Sequence, residues 1–282
     1  MKRRSFSAAV GLTLGPFAAM AAPAKVEPRA MTVSVVPQFR AEEIHRTWAP
    51  LLARVAQETG QPLTLVVPSS IPAFERAMLA GEPDFVYANP YHAVMAHRVQ
   101  GYLPLVRDSS LLTGIVLVRA DDPIRTVAEL DGKSIAFPAP NAFGASLWIR
   151  ALLAEREKIR IQPVYVKTHS NAYRSVLAGL SPAAGGINLT FDQEPPEVRK
   201  ALRVLMETPG VPAHPLAAHP RVPEATRRLV TDTVLRLMTD RGMRELMSDI
   251  PWVNPVPADY RRDYEPLEQF GLDKYVVNST PP

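Results

Sequence analysis

The sequence contains no cysteine, and this absence excludes several kinds of chemistry together. A chain without thiols forms no disulfides, binds no metal through thiolates, carries no lipid on a cysteine and has no cysteine nucleophile. If the protein is exported, its hydrophobic core alone must stabilise it, and roughly 260 residues are enough to build such a core.

Long apolar runs are also lacking beyond the first residues, where an export signal is predicted. Basic residues 2–4 precede a short apolar stretch at 8–20, and small residues flank Met20. A membrane-spanning helix needs about 20 apolar residues, so this stretch is too short to be one. The pattern predicts a signal peptide over residues 1–21 and a periplasmic location. Residues 3–6, Arg-Arg-Ser-Phe, resemble a twin-arginine signal, so the Sec and Tat routes both stay open.

Excess charge is the third feature that is lacking. The formal net charge is +4, but residues 1–21 hold three basic and no acidic residues, which leaves 29 basic against 28 acidic ones. With no long run of lysine and arginine, binding to nucleic acid or to an anionic membrane is not expected. The 29 prolines are spread along the chain and indicate loops of a folded protein.

What the sequence does contain is an alternation of β-branched runs and amphipathic segments. Strands are predicted at 31–36, 63–67, 85–87, 103–106, 114–119, 133–137, 163–166, 186–190 and 201–206. Helices are predicted at 41–59, 73–80, 92–99, 144–157, 171–178, from 223 onward, and as short segments at 241–247 and 258–269. Short loops between strands and helices favour an α/β fold with a mostly parallel sheet.

Two such sets in one chain predict two lobes. Lobe one is expected to comprise residues 31–112 plus 210–282, and lobe two residues 113–209. The segments near 114–119 and 204–213 would cross between the lobes. A single large doubly wound sheet remains the alternative. Ligands of such folds bind at the carboxyl ends of strands and between lobes, so the loops there are the first to consider.

The loops after the predicted strands are polar and aromatic, with few charges. The candidate ligand contacts in them are Phe39, Tyr87, Asn89, Asn141, Phe143, Gly144, Ala145, Ser146, His169 and Asp192. Four of them have a structural alternative. Tyr87 could belong to the core, Asn141 and His169 could cap helices, and Asp192 could pair with an arginine.

Enzymatic motifs are missing, and the chain is predicted not to be an enzyme. There is neither a Gly-x-Ser-x-Gly sequence nor a phosphate-binding loop. His92 and His97, five residues apart, do not share a helix face well enough to bind a metal together. No metal and no cofactor are expected.

Three segments carry a resemblance to a known family. Residues 84–91 (DFVYANPY), 127–137 (VAELDGKSIAF) and 169–179 (HSNAYRSVLAG) resemble the phosphate/phosphite/phosphonate-binding periplasmic proteins of ABC transporters. The likeness covers about residues 31–260. It implies the type II periplasmic binding protein fold, in which two crossing segments join two α/β lobes and a ligand cleft lies between them.

The resemblance also implies an anion-binding loop that opens a helix. The family's loop is rich in serine and threonine, whereas residues 141–146 here keep one hydroxyl, on Ser146. The backbone N–H groups at the start of a helix can bind an anion whatever the side chains are. The ligand is therefore predicted to be a small oxyanion, held mainly by N–H groups and neutral donors.

The implied function is capture of a phosphonate-, phosphite- or phosphate-like anion for an ABC permease. The alternative is a periplasmic co-receptor that reports such an anion to a sensor histidine kinase. The expected partners are the oxyanion and either of these membrane proteins, with no nucleic acid, and the protein is expected to be a monomer.

Overall fold

The computed structural model describes residues 29–246, 250 and 252–277, so the predicted signal peptide lies outside the described residues. Strands and helices first alternate as β1 Met31–Val35, α1 Ala41–Thr59, β2 Leu63–Val66, α2 Ile71–Leu79, β3 Phe85–Tyr87, α3 Pro90–Gln100 and β4 Leu103–Asp108. The apolar face of α1 is buried, and Gly60 ends the helix in the left-handed conformation. Each predicted element of this part is present.

The middle of the chain forms a second alternating set. Its elements are β5 Leu111–Leu112, β6 Gly114–Arg119, β7 Ser134–Phe137, α4 Trp148–Glu155, β8 Gln162–Tyr165, α5 His169–Leu177, β9 Ala183–Ile187, α6 Asn188–Asp192, α7 Pro196–Ala201, β10 Leu202–Glu207 and β11 Val211–Pro212. A 3₁₀ turn, Val127–Leu130, precedes β7, and a π-helical turn, Phe143–Leu147, leads directly into α4.

The chain then returns through β12 Pro215–Ala218, α8 Glu224–Thr239, α9 Arg241–Leu246 and β13 Pro255–Pro257. Three short helical turns follow, a π turn at Tyr260–Tyr264 and 3₁₀ turns at Glu265–Phe270 and Leu272–Tyr275. No helix of the described residues is long and apolar enough to cross a membrane.

The strands form two principal sheets, one in each lobe. The first lobe contains a six-stranded sheet in the order β13-β4-β12-β3-β1-β2, and the second a five-stranded sheet in the order β10-β6-β9-β7-β8. The short pair β5–β11 connects them. The architecture is that of two α/β lobes, as predicted, and the lobe boundaries at 112 and 209 stay predictions.

Both sheets are mixed, so the expectation of mostly parallel strands is wrong. β1 pairs in parallel with β2 and β3, and β7 pairs in parallel with β8 and β9. β12 and β13 join the first sheet antiparallel, and β6 is antiparallel to both of its neighbours. β6, expected as a crossing, is thus a full member of the second sheet.

The strand predicted at 186–190 is also displaced. The strand is β9 at Ala183–Ile187, and residues 188–192 form the short helix α6. β9 contains two adjacent glycines because its neighbours leave no room for side chains. A Cβ on Gly185 would lie 2.1 Å from the Ala145 carbonyl oxygen, and one on Gly186 would lie 2.5 Å from the Tyr173 hydroxyl.

Candidate functional site

A small cavity of about 10 Å³ lies between the two lobes. Such a volume corresponds to about one water-sized sphere. The first lobe contributes Val36, Gln38, Ile71, Asn89 and His214, and the second lobe contributes Ala142, Phe143, Gly144, Ala145, His169 and Ile187. We call this space the inner cavity. Its walls come from both lobes, so its shape depends on how far the lobes are closed.

Residues 142–145, in the loop after β7, line the inner cavity. We call residues 138–147 the anion loop. It ends in the π turn Phe143–Leu147 that leads into α4, and the first N–H groups of a helix have no partner within it. These groups and the helix dipole favour a negative charge at this point.

Two glycines allow the anion loop to lie directly on the second sheet. A Cβ on Gly114 of β6 would come within 2.2 Å of the Gly144 carbonyl oxygen, and Gly185 of β9 has the same relationship to Ala145 at 2.1 Å. Gly144 is confined in turn, because a Cβ there would lie 2.7 Å from the Leu112 side chain. Close packing against the second sheet thus fixes the position of residues 144 and 145 in the loop backbone.

His169 is the first residue of α5 and is 2% exposed. Its Nδ1 lies 3.0 Å from the Thr190 hydroxyl, and that hydroxyl is 2.6 Å from the hydroxyl of Tyr173. Thr168, not His169, caps the helix, through a hydrogen bond from the Asn171 N–H. Burial lowers the pKa of His169 to about 3, so its imidazole is neutral at physiological pH.

His214 lines the inner cavity from the first lobe, and the sequence analysis did not select it. It lies between β11 and β12 and is 3% exposed. Its ring stacks on the Tyr87 ring, with centroids 5.5 Å apart and planes at 27°. Burial, followed by the like charges that His169 and His92 would carry, lowers the pKa of His214 to about 3. A lone histidine beside a proline gives no pattern that a sequence reading could use.

Tyr87 stands behind His214 rather than in the inner cavity. Its ring centroid is 4.6 Å from that of Trp48 and 5.8 Å from that of Trp252. It lines an adjoining cavity of about 30 Å³, which shares Val36 and Gln38 with the inner one. Burial raises the pKa of the Tyr87 phenol, which therefore stays protonated.

Asn141 belongs to a buried polar network beside the inner cavity. Its amide nitrogen donates to the Glu75 carboxylate at 3.1 Å and to the Val277 carbonyl at 2.8 Å, and its amide oxygen accepts from the Val277 N–H at 2.9 Å. Glu75 also binds His92 Nε2 at 2.8 Å. Asn89 continues the network, because its side chain caps α3 by accepting from the His92 N–H at 2.7 Å.

The structure therefore places only some of the predicted contact residues at the inner cavity. Those that line the inner cavity are Asn89, Phe143, Gly144, Ala145 and His169. Of the others, Ser146 is fully buried and lies 3.3 Å from Arg150 Nε. Asp192 is exposed at the end of α6. Gln38, which precedes Phe39, is the residue of that pair that faces the inner cavity.

Phe39 lines a wider groove of about 530 Å³ where the two lobes face each other. We call this the outer groove. The first lobe lines it with Phe39, Arg40, Glu43 and Arg46, and the second with Thr168, Ser170, Asn171, Arg174, Gln193, Glu194 and Pro195. Glu194 is buried and accepts from the Ser170 hydroxyl, with Arg174 3.6 Å away. The three arginines outnumber the two glutamates along the groove.

A third connection between the lobes is made by residues 265–277, which we call the C-terminal strap. On the first lobe, its Asp273 accepts from the Tyr91 hydroxyl. On the second lobe, the Tyr275 carbonyl accepts from Arg150 Nη2 at 2.9 Å, and the Tyr275 hydroxyl donates to Glu155 at 2.6 Å. Arg150 also donates to the Pro140 carbonyl of the anion loop at 2.7 Å. The strap thus helps to position that loop.

Comparisons with known proteins agree with this architecture. The sequence profile of a family described as "ABC transporter, phosphonate, periplasmic substrate-binding protein" matches residues 33–264. A search of curated protein sequences finds no match.

Several solved structures share the fold at low sequence identity. A binding protein component of an ABC phosphonate transporter from Pseudomonas aeruginosa has 13% identity and a TM-score of 0.77, covering 90% of this chain and 89% of its own. PhnD1 from Prochlorococcus marinus, solved with methylphosphonate, has 11% identity and a TM-score of 0.78, covering 89% and 100%. A Xanthomonas citri protein bound to chloride has 16% identity and a TM-score of 0.73, covering 87% and 98%. These likenesses show the type II periplasmic binding protein fold.

Proposed function

Because the chain belongs to the family of periplasmic substrate-binding proteins of ABC phosphonate transporters, we propose that it binds a small oxyanion between its lobes and delivers it to an ABC permease. The proposed ligand is a phosphonate, phosphite or phosphate-like anion. The family is a component of a transporter and not a family of enzymes. The observation that carries the choice of ligand is the meeting of the anion loop with His169 at one cavity.

The proposed site stabilises an anion with neutral donors. The N–H groups of residues 143–145 would bind its oxygens, and Gln38 and Asn89 add amide groups from the opposite lobe. A hydrogen bond to a charged group contributes about 1.5–3 kcal/mol net. Four or five such bonds are enough for micromolar affinity, about −8 kcal/mol, after the costs of association. Without a fixed ion pair, the site can also release the anion to a partner.

Uptake of the ligand requires the lobes to separate, because the inner cavity holds only about one water-sized sphere. The pair β5–β11 and the segments that flank it are the proposed hinge. The arginines of the outer groove, Arg40, Arg46 and Arg174, would raise the local concentration of anions at the cleft.

Export is part of the proposal. The family works in the periplasm, and we propose that residues 1–21 are removed as a signal peptide so that the mature chain starts near Ala22. N-terminal sequencing of protein from the periplasmic fraction tests this, and an intact Met1 on that protein would contradict it. The alternative role beside a sensor kinase has no observation in its favour.

The experiment that tests the ligand class is a thermal-shift screen of the mature protein. The screen covers phosphate, phosphite, methylphosphonate, sulfate and arsenate, with a neutral sugar and a cationic polyamine as controls. A ligand at a hundredfold excess over Kd stabilises the fold by about 2.7 kcal/mol, which gives a readable shift. Calorimetry then gives the affinity of each hit. Stabilisation by the sugar or the polyamine alone would overturn the proposal.

A further inference from the structure

His214 is buried in the wall of the inner cavity. It is 3% exposed. Among the described residues no hydrogen bond to either ring nitrogen is found, and the two nitrogens are not among the fully enclosed polar atoms that lack a partner, so they keep some accessible surface. A neutral imidazole has one donor and one acceptor nitrogen. Buried polar groups of native proteins are nearly always hydrogen-bonded, so an exception requires an explanation. Because the ring lines the inner cavity, a bound ligand is the explanation that the geometry supplies.

Stacking against Tyr87 fixes the orientation of the His214 ring. Tyr87 stacks on it at 5.5 Å, and Trp48 and Trp252 hold Tyr87 in place in turn. A donor that is held rigidly in advance loses little entropy when the ligand arrives. His169 occupies the opposite wall, on the second lobe, with its Nδ1 engaged by Thr190. The two imidazoles therefore approach the same small space from different lobes.

No carboxylate lines the inner cavity among the described residues. The nearest buried one in the network is Glu75, and its two oxygens bind His92 and Asn141. Glu43 lines only the adjoining cavity and the outer groove. An ammonium group brought into the inner cavity would lose its hydration without gaining an opposite charge, which is strongly unfavourable.

We propose that His214 is a ligand-contacting residue that, together with His169, makes the site specific for a compact oxyanion without a cationic substituent. This inference rests on the proposed function. Specificity is a difference between two affinities. Here it arises because neutral donors serve the anionic group, while the inner cavity offers nothing that pairs with a cation.

The first test compares His214→Leu and His214→Gln with the matched control His45→Gln, whose side chain is exposed on α1. Calorimetry measures the affinity for methylphosphonate and phosphite. The leucine variant should bind at least tenfold more weakly, the glutamine variant should lose less, and the control should bind like the wild type. Melting of the ligand-free leucine variant should be unchanged or higher, because no hydrogen bond to a described residue is lost and a polar ring is replaced by an apolar side chain.

The second test uses ethylphosphonate and aminomethylphosphonate, which have the same number of heavy atoms and differ in the ammonium group. The wild type should bind the amino compound at least tenfold more weakly. Equal affinity for the two compounds would overturn the charge selectivity, and wild-type affinity in both His214 variants would overturn the contact. Failure of the wild type to bind any of these anions would instead overturn the proposed function.

Discussion

Val277 and Asn141, which are 136 residues apart in the sequence, exchange a reciprocal pair of hydrogen bonds. The Val277 N–H donates to Asn141 Oδ1 at 2.9 Å, and Asn141 Nδ2 donates to the Val277 carbonyl at 2.8 Å. One residue lies in the anion loop and the other in the C-terminal strap. The geometry of the proposed ligand site therefore depends on a residue that is distant from the anion loop in the sequence.

Replacing Asn141 with alanine should affect both stability and binding. The variant removes a donor from the buried Glu75 as well as both bonds to Val277, and an unsatisfied buried group costs about 1–3 kcal/mol. We expect denaturant unfolding to show this loss and calorimetry with methylphosphonate to show roughly tenfold weaker binding, since about 1.4 kcal/mol is tenfold.

The control for this variant is Asn254→Ala, because the Asn254 side-chain amide donates to the exposed Ser109 hydroxyl, while the backbone N–H that donates to Asp108 stays in the variant. Weaker binding by Asn141→Ala with unchanged stability would show a direct ligand contact, as the sequence predicted. Unchanged binding and stability together would contradict the positioning role.

The buried histidines predict how stability changes with pH. The fold keeps His169 and His214 neutral because burial lowers each pKa from 6.5 to about 3. Below pH 6.5 the unfolded chain therefore binds more protons than the fold does, and stability falls as the pH falls from 6.5 towards 3. At pH 5 each histidine should account for about 2 kcal/mol of the loss.

Melting temperatures of the ligand-free protein at pH 7 and pH 5 test this expectation. The double variant His169→Gln/His214→Gln should lose less stability over that interval than the wild type, while His45→Gln should behave like the wild type. Parallel losses in the double variant and the wild type would show that other groups dominate the acid response.

Gly185→Ala should displace the anion loop. The new Cβ would meet the Ala145 carbonyl oxygen at 2.1 Å and the Phe137 ring at 2.4 Å, and overpacking of this kind costs about 1–3 kcal/mol. We expect a lower melting temperature and weaker binding of methylphosphonate. Gly242→Ala is the control, since its Cβ would meet only Asp240 Oδ1 at 3.4 Å. A Gly185 variant with wild-type affinity would show that the loop backbone does not contact the ligand.

Two substitutions of Tyr87 distinguish a role in packing from a role in ligand binding. Removing a buried aromatic ring costs about 3–5 kcal/mol, so Tyr87→Ala should be strongly destabilised in denaturant titrations. Tyr87→Phe keeps the contacts with Trp48 and His214 and should unfold like the wild type. Because Tyr87 lines the adjoining cavity and not the inner one, the phenylalanine variant should bind methylphosphonate like the wild type. Weaker binding by that variant would show that the hydroxyl contacts the ligand.

Closure of the lobes predicts a change in overall dimensions. Small-angle scattering of the mature wild type should give a smaller radius of gyration when methylphosphonate saturates it, because the hinge closes on the ligand. The control is the same measurement with the neutral sugar. Tight binding with an unchanged radius would argue against hinge motion.

The sequence predicted the elements that have a clear pattern. Helix α1 was predicted over its full observed range, 41–59, because its apolar residues repeat with helical spacing and Gly60 follows them. β9 was displaced because its Ala-Ala-Gly-Gly segment, selected for close packing, has none of the β-branched residues that indicate a strand. β12 and β13 are short and contain prolines, so neither shows the sequence pattern of a strand. The mixed pairing of the first sheet could therefore not be predicted.

Part of the candidate site was predicted, again where the sequence has a clear pattern. The anion loop and His169 follow strands and open helices, and both their loop position and the family resemblance pointed to them. His214 and Gln38 acquire their place only through the packing of the lobes against each other. Asn141 was selected, but its partner Val277 comes from a segment with no recognisable motif.

The C-terminal strap has a practical consequence for any measurement on this protein. A protease cut within residues 265–277 could free Tyr275 from Arg150 and Val277 from Asn141. The anion loop would then lose these bonds and change its alignment. Intact and clipped preparations should therefore report different dissociation constants for one anion. Proteolysis during purification would thus become a variable of the binding assay.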